Sequence, residues 1–179
     1  MISITIPTTE ALIDQVFLNN NIQNGLAQTP FNVVHFATHG KFSSDPEQTF
    51  ILDWQQRISA QDMDILLRVN EPERAVKNPI ELLVLSACET ASGDSRAALG
   101  LAGIAIRAGT RSTLATLWQV NDASTTEFMV RFYKELTNPK VTKADALRNA
   151  QLSFLKDNPR TRHNRPNRWA PFTLVGNWL

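Results

Sequence analysis

A single cysteine, Cys88, stands in a chain of 179 residues, so no disulfide can close within it and nothing in its thiol content requires an oxidising compartment. No apolar run approaches the ~20 residues that a membrane-spanning helix needs. The first ten residues, MISITIPTTE, lack the basic start and apolar stretch of a signal peptide, so a cytoplasmic location is the expectation. Excess charge of one sign is also missing. A net charge of +1 argues against a protein that grips nucleic acid by neutralising many phosphates. What is present, 42% hydrophobic and 20% charged residues, is ordinary for a globular protein. The length suits one domain that buries roughly 70% of its unfolded surface. No repeat or low-complexity tract divides it, and a single domain over 1–179 is expected.

Patterning along the chain alternates strands and helices. ISITIP alternates apolar and polar residues and reads as a short edge strand closed by Pro7. Thr8 or Thr9 then caps a helix through EALIDQVFL that stops in the polar NNNIQNG, with Gly25 as breaker. FNVVHFATHG reads as a strand buried on both faces and ending at His39-Gly40. TFILDWQQ supplies one or two strands of a hairpin, Ser59 caps a helix through AQDMDILLR, and VNEPERAVKNP is an exposed loop. IELLVLSAC is a second buried strand, ALGLAGIAIRAG a helix stopped at Gly109, and RSTLATLWQV a third interior strand. Asp122 caps an amphipathic helix whose Phe128, Phe132 and Leu136 share one face, and Thr142 starts another that ends before Pro159. An arginine-rich loop leads to a last short strand in APFTLVGNW. Such alternation predicts an α/β fold with a mostly parallel central sheet and helices on both faces.

In sheets of this kind ligands bind beyond the carboxyl ends of the strands. His39 and Cys88 are both expected there, each at the last step of a buried strand, and they share one edge if those strands are neighbours. A lone cysteine after a strand is most often a small buried hydrophobe. Two features point elsewhere. ETASGD after Cys88 has the composition of an exposed loop, and Gly40 after the histidine lets a backbone N–H approach a ligand closely. A nucleophilic thiol needs a base and donors for an oxyanion; His39 and the N–H groups of Gly40 and Cys88 would supply them. His35 lies mid-strand and reads as a buried, hydrogen-bonded structural residue, and His163 as solvent-exposed. GLAGIAIRAG lacks the Gly-Lys-Ser/Thr of a phosphate loop. Arg160, Arg162, Arg165 and Arg168 read as a solvated loop. The histidines and the cysteine show no paired spacing for a metal.

The blocks VVHFATHG, LLVLSACETASGD, AGTRSTLATLWQVND, MVRFYKEL, ALRNAQLSF and RWAPFTLVGNW, in this order, resemble the CHAT domain, a caspase-like module commonly found behind tetratricopeptide repeats in bacteria. The resemblance implies a three-layer caspase-like sandwich, as in caspases and separases. It implies His39 as general base and acid, Cys88 as nucleophile and Gly40 as oxyanion donor. Cleavage of a protein or peptide substrate then needs no cofactor and no metal. By similarity to separases, Asp122 is a candidate to bind a basic side chain before the scissile bond, set beside its reading as a helix cap. Glu89 and Asp94 flank the cleft, and Gln119 stands where separases tend to carry a further acid. The resemblance also implies a C-terminal piece of a longer protein, with upstream repeats or a regulatory protein as partner and neither nucleic acid nor membrane. The rival is a catalytically silent caspase-like interaction module.

Overall fold

A computed structural model describes residues 9–43, 45–68, 79–86, 89–90, 103, 105, 108–118, 120–157 and 164–179. The expected strand ISITIP, the loop over 69–78, and Cys88, Asp94, Gln119 and His163 lie outside the described residues.

The first sheet consists of β1 (Val33–Phe36), β5 (Leu82–Leu85), β7 (Ser112–Thr116) and β8 (Phe172–Gly176), side by side in that order. The first three are parallel and β8 runs antiparallel to β7. β5 and β7 are buried along their whole length, which explains their near-continuous apolar character. Alternate side chains face opposite layers. Leu83, Leu85, Phe36 and Ala115 join one core with Ile22, Leu26, Met63 and Leu66, residues of α1 (Asn19–Gln28) and α2 (Ala60–Leu67). Leu82, Val84 and Leu114 join a second core with Phe128, Phe132 and Phe154, from α3 (Asp122–Leu136) and α4 (Lys143–Leu155). Phe128 stacks on Phe172 of β8 with ring centroids 3.8 Å apart. A short helical turn, α5 (Pro166–Trp169), precedes β8. The fold is thus α/β, with a mostly parallel sheet between two helical layers.

A second sheet has the order β4-β3-β2-β6. β3 (Phe50–Leu52) lies within TFILDWQQ as expected, but its hairpin partner β4 (Arg57–Ser59) lies just beyond that segment; β2 (Gly40–Phe42) pairs antiparallel with β3, and β6 (Glu89–Thr90) pairs parallel with β2. Phe42, Ile51 and Ile58 turn one face of this sheet into the first core.

Several expectations hold in detail. Ser59 and Asp62 form a reciprocal capping box on α2, and Thr142 Oγ1 accepts the Asp145 N–H at the start of α4. Gly109 has φ of 91°, the left-handed value expected of a helix stop, and Gly103 and Ala105 before it are helical.

Others are corrected. Residues 10–18 do not form a helix: Asp14 has φ of 52°, and only a 3-10 turn, Asp14–Val16, occurs there. The helix lies instead over the segment expected to end it, with Gly25 in its interior and Ile22 and Leu26, four apart, facing the core. Its N-terminal donor is satisfied from afar, because Asp53 Oδ2 accepts the Asn19 N–H at 2.9 Å. Strand β1 stops at Phe36, three residues before His39, because the chain there leaves β5 and begins to pair with β3. The cap of α3 is Asn121, whose Oδ1 accepts the Ala123 N–H, so Asp122 is the first helical residue.

Candidate functional site

Two chain segments leave the first sheet next to each other. β1 and β5 pair through Phe36↔Leu85, and the Ser86 N–H still donates to the Phe36 carbonyl at 3.1 Å. Both segments then enter the second sheet next to each other, β2 beside β6 with Lys41 opposite Glu89. Residues 37–40 lie between the paired points on one segment and residues 86–88 on the other. His39 is in the first group and Cys88 in the second.

The turn between β1 and β2 is held by polar contacts. Thr38 Oγ1 donates to the Leu52 carbonyl at 2.7 Å, and the Leu52 N–H donates to the His39 carbonyl at 2.8 Å. This anchors the backbone of His39 while its side chain stays exposed. Gly40 is buried, and a Cβ there would lie 2.8 Å from the Phe50 carbonyl oxygen. Close packing of β2 on β3 therefore excludes any larger residue, a reason for glycine that is independent of any ligand.

Beside the turn is an open cleft of about 640 Å³. Its lining brings together His39, Gly40 and Asp122, three of the residues singled out in the sequence. Asp122 enters from the exposed first turn of α3, where the partial positive charge of a helix N-terminus favours a carboxylate. Glu89 is opposite Lys41 in register, and only its backbone is described.

The cleft also contains side chains that sequence reasoning passed over. Lys41 and Arg57 project from the second sheet; Lys41 Nζ donates to Gln48 Oε1 at 3.1 Å, and the Arg57 guanidinium lies 4.2 Å from the centre of the Phe50 ring. Ser86 lines the cleft as well. Its position as the first polar residue after LLVL was the one signal available. Behind it, His35 is hydrogen-bonded as expected, with Nε2 2.7 Å from Ser86 Oγ and Nδ1 3.0 Å from the Tyr133 hydroxyl. Burial pushes the His35 imidazole from its ordinary 6.5 down to about 4, and pushes the Tyr133 phenol upward. The ring is half-buried and not fully buried as expected, but a neutral ring held at both nitrogens suits a fixed hydrogen-bond bridge and not a proton-exchanging base. Tyr133 meets His35 from ninety-eight residues away, and no local pattern signals that pairing. Among the described residues, no group of three or more His, Cys, Asp or Glu side chains is arranged to hold a metal ion, and no helix is long and apolar enough to cross a membrane.

A mostly parallel sheet between two helical layers, with a His-Gly turn beyond one strand and a cleft beside it, is a caspase-like sandwich. The chain belongs to the CHAT domain family, which it matches over residues 1–177. That family is associated with cysteine-peptidase-like domains. No curated protein matches the chain.

Proposed function

We propose that the chain is a cysteine endopeptidase in which Cys88 is the nucleophile and His39 the general base and acid. The observation that carries the reading is the double register: Phe36↔Leu85 on one side and Lys41↔Glu89 on the other. It tethers the segments bearing His39 and Cys88 at both ends to strands that are neighbours, and neighbouring strands run about 4.8 Å apart.

In this reading His39 takes the thiol proton, and the thiolate attacks a peptide carbonyl carbon. Oxyanion stabilisation falls to the backbone N–H groups of Gly40 and Cys88. The His39 carbonyl accepts from Leu52, and because antiparallel ladders alternate, the next N–H, that of Gly40, is directed away from β3 and is not spent on that strand, which supports this role. Collapse of the tetrahedral intermediate breaks the C–N bond, and the amine leaves with a proton from His39. Water, deprotonated by His39, then hydrolyses the thioester and restores the thiol. Asp122 at the cleft wall attracts a basic side chain before the scissile bond, with Glu89 and Asp94 as further acids. The dyad works without cofactor or metal. A protein substrate and upstream tetratricopeptide repeats or another regulatory protein are the partners this reading entails.

An electrophilic peptide probe ending in arginine tests it. Wild-type protein is expected to be labelled, with Cys88→Ala spared and His39→Ala slowed at least a hundredfold. Equal labelling of the wild type and Cys88→Ala removes the catalytic thiol and leaves the interaction module.

A further inference from the structure

Ser86, His35 and Tyr133 form a bridge that the peptidase chemistry above does not use. We infer that Ser86 donates a hydrogen bond to a carbonyl oxygen of the bound peptide, its hydroxyl turned into the cleft by the Tyr133–His35 pair behind it. The inference rests on the peptidase reading for the identity of the ligand.

A neutral imidazole offers one N–H and one lone pair, so the bridge has only two possible senses. In one, the Tyr133 hydroxyl donates to His35 Nδ1 and His35 Nε2–H donates to Ser86 Oγ. In the other, Ser86 donates to Nε2 and Nδ1–H donates to the tyrosine oxygen. The second sense leaves the phenolic proton without an acceptor among the described residues, on a side chain that is 7% exposed. Burying an unpaired donor is costly, and the first sense avoids it. Burial also keeps the ring neutral, which removes a doubly protonated alternative.

The consequence appears at Ser86. One of its lone pairs is occupied by Nε2–H, so its own proton is left to donate, and the residue lines the cleft alongside His39 and Gly40. Peptide carbonyls are the acceptors a substrate backbone brings at every residue. Only Ala87 separates Ser86 from Cys88 in the chain, so in the peptidase reading a peptide bound for attack by the thiol passes close to Ser86. His35 and Tyr133 act through Ser86 and are positioning residues.

Two measurements test this. Isotope-edited NMR of the His35 ring is expected to find the proton on Nε2; a proton on Nδ1 overturns the inference whatever the enzyme does. In hydrolysis of an arginine-containing peptide amide, Ser86→Ala is expected to lower kcat/KM about tenfold while Ser86→Thr, which keeps the hydroxyl, stays within about threefold of wild type. Ser86→Ala with wild-type kcat/KM overturns the inference and leaves the peptidase reading standing, provided Cys88→Ala is inactive. Wild-type hydrolysis by Cys88→Ala overturns the peptidase reading and with it the peptide as the acceptor, while the NMR result still decides the sense of the bridge.

Discussion

Asp53 and Asn19 are joined across the fold: the Asp53 carboxylate accepts the Asn19 backbone N–H at 2.9 Å, at the first turn of a helix thirty-four residues earlier in the chain. The same carboxylate takes the N–H groups of Gln55 and Gln56 at 2.7 and 2.6 Å, closing the turn between β3 and β4. One side chain thus caps a helix and shapes a hairpin. Burial acts to raise its pKa, but the three donors from Asn19, Gln55 and Gln56 hold it below the ordinary carboxylate value.

Asp53→Ala is therefore expected to lower stability by about 2 kcal/mol, the sum of a lost cap and lost turn contacts. Urea unfolding monitored by circular dichroism checks it. A midpoint unchanged from wild type would show that Leu18 and the solvent cap α1 equally well.

His35 makes stability depend on pH in a defined window. Its folded pKa of about 4 lies below the unfolded value of 6.5, so the unfolded chain binds the extra proton first. The stabilisation is complete above pH 6.5 and is lost progressively as pH falls toward 4, by up to about 3 kcal/mol. Urea midpoints measured across this interval should slope downward for wild type and flatten in His35→Gln. Parallel slopes in the two proteins would place the titration elsewhere.

Gly40→Ala is expected to cost about 1–3 kcal/mol, because the added Cβ would meet the Phe50 carbonyl at 2.8 Å and force β2 away from β3. The loss should be the same in a Cys88→Ala background, where no chemistry is at stake. An unchanged melting temperature would mean that the hairpin yields without penalty.

Asp122 and Asn121 separate recognition from capping. Asn121→Ala removes the oxygen that accepts the Ala123 N–H and is expected to cost about 1 kcal/mol, with little effect on cleavage preference. Asp122→Ala should leave the unfolding midpoint nearly unchanged and reduce the preference for arginine over a neutral side chain about tenfold. Reversed outcomes would make Asp122 a structural residue.

Much of this protein was legible in local pattern. The apolar runs LLVL and STLAT announce strands buried on both faces, and the spacing of Phe128 and Phe132 announces a helix over the sheet. Ser59 and Thr142 mark their helices because a cap and the donor it satisfies lie within a few residues of each other. His39, Gly40 and Asp122 could be singled out from motif and position, and they do share a cleft. Whatever is settled between neighbours in the chain can be read from the chain.

The remainder depends on partners brought together by folding. The first helix begins at Asn19 and not near Thr9 because Asp53 supplies the cap from the other side of a hairpin. Strand β1 ends at Phe36 although the residues beyond it suit a strand, because the hydrogen bonds of 38 and 39 are taken over by Leu52. The Tyr133–His35–Ser86 bridge joins a helix, a strand and the residue just past the end of a second strand, and each of its members looks unremarkable alone. Hydrogen bonds and close packing act over a few ångströms in space regardless of separation along the backbone, so contacts like these become visible only once the sheet has set its neighbours.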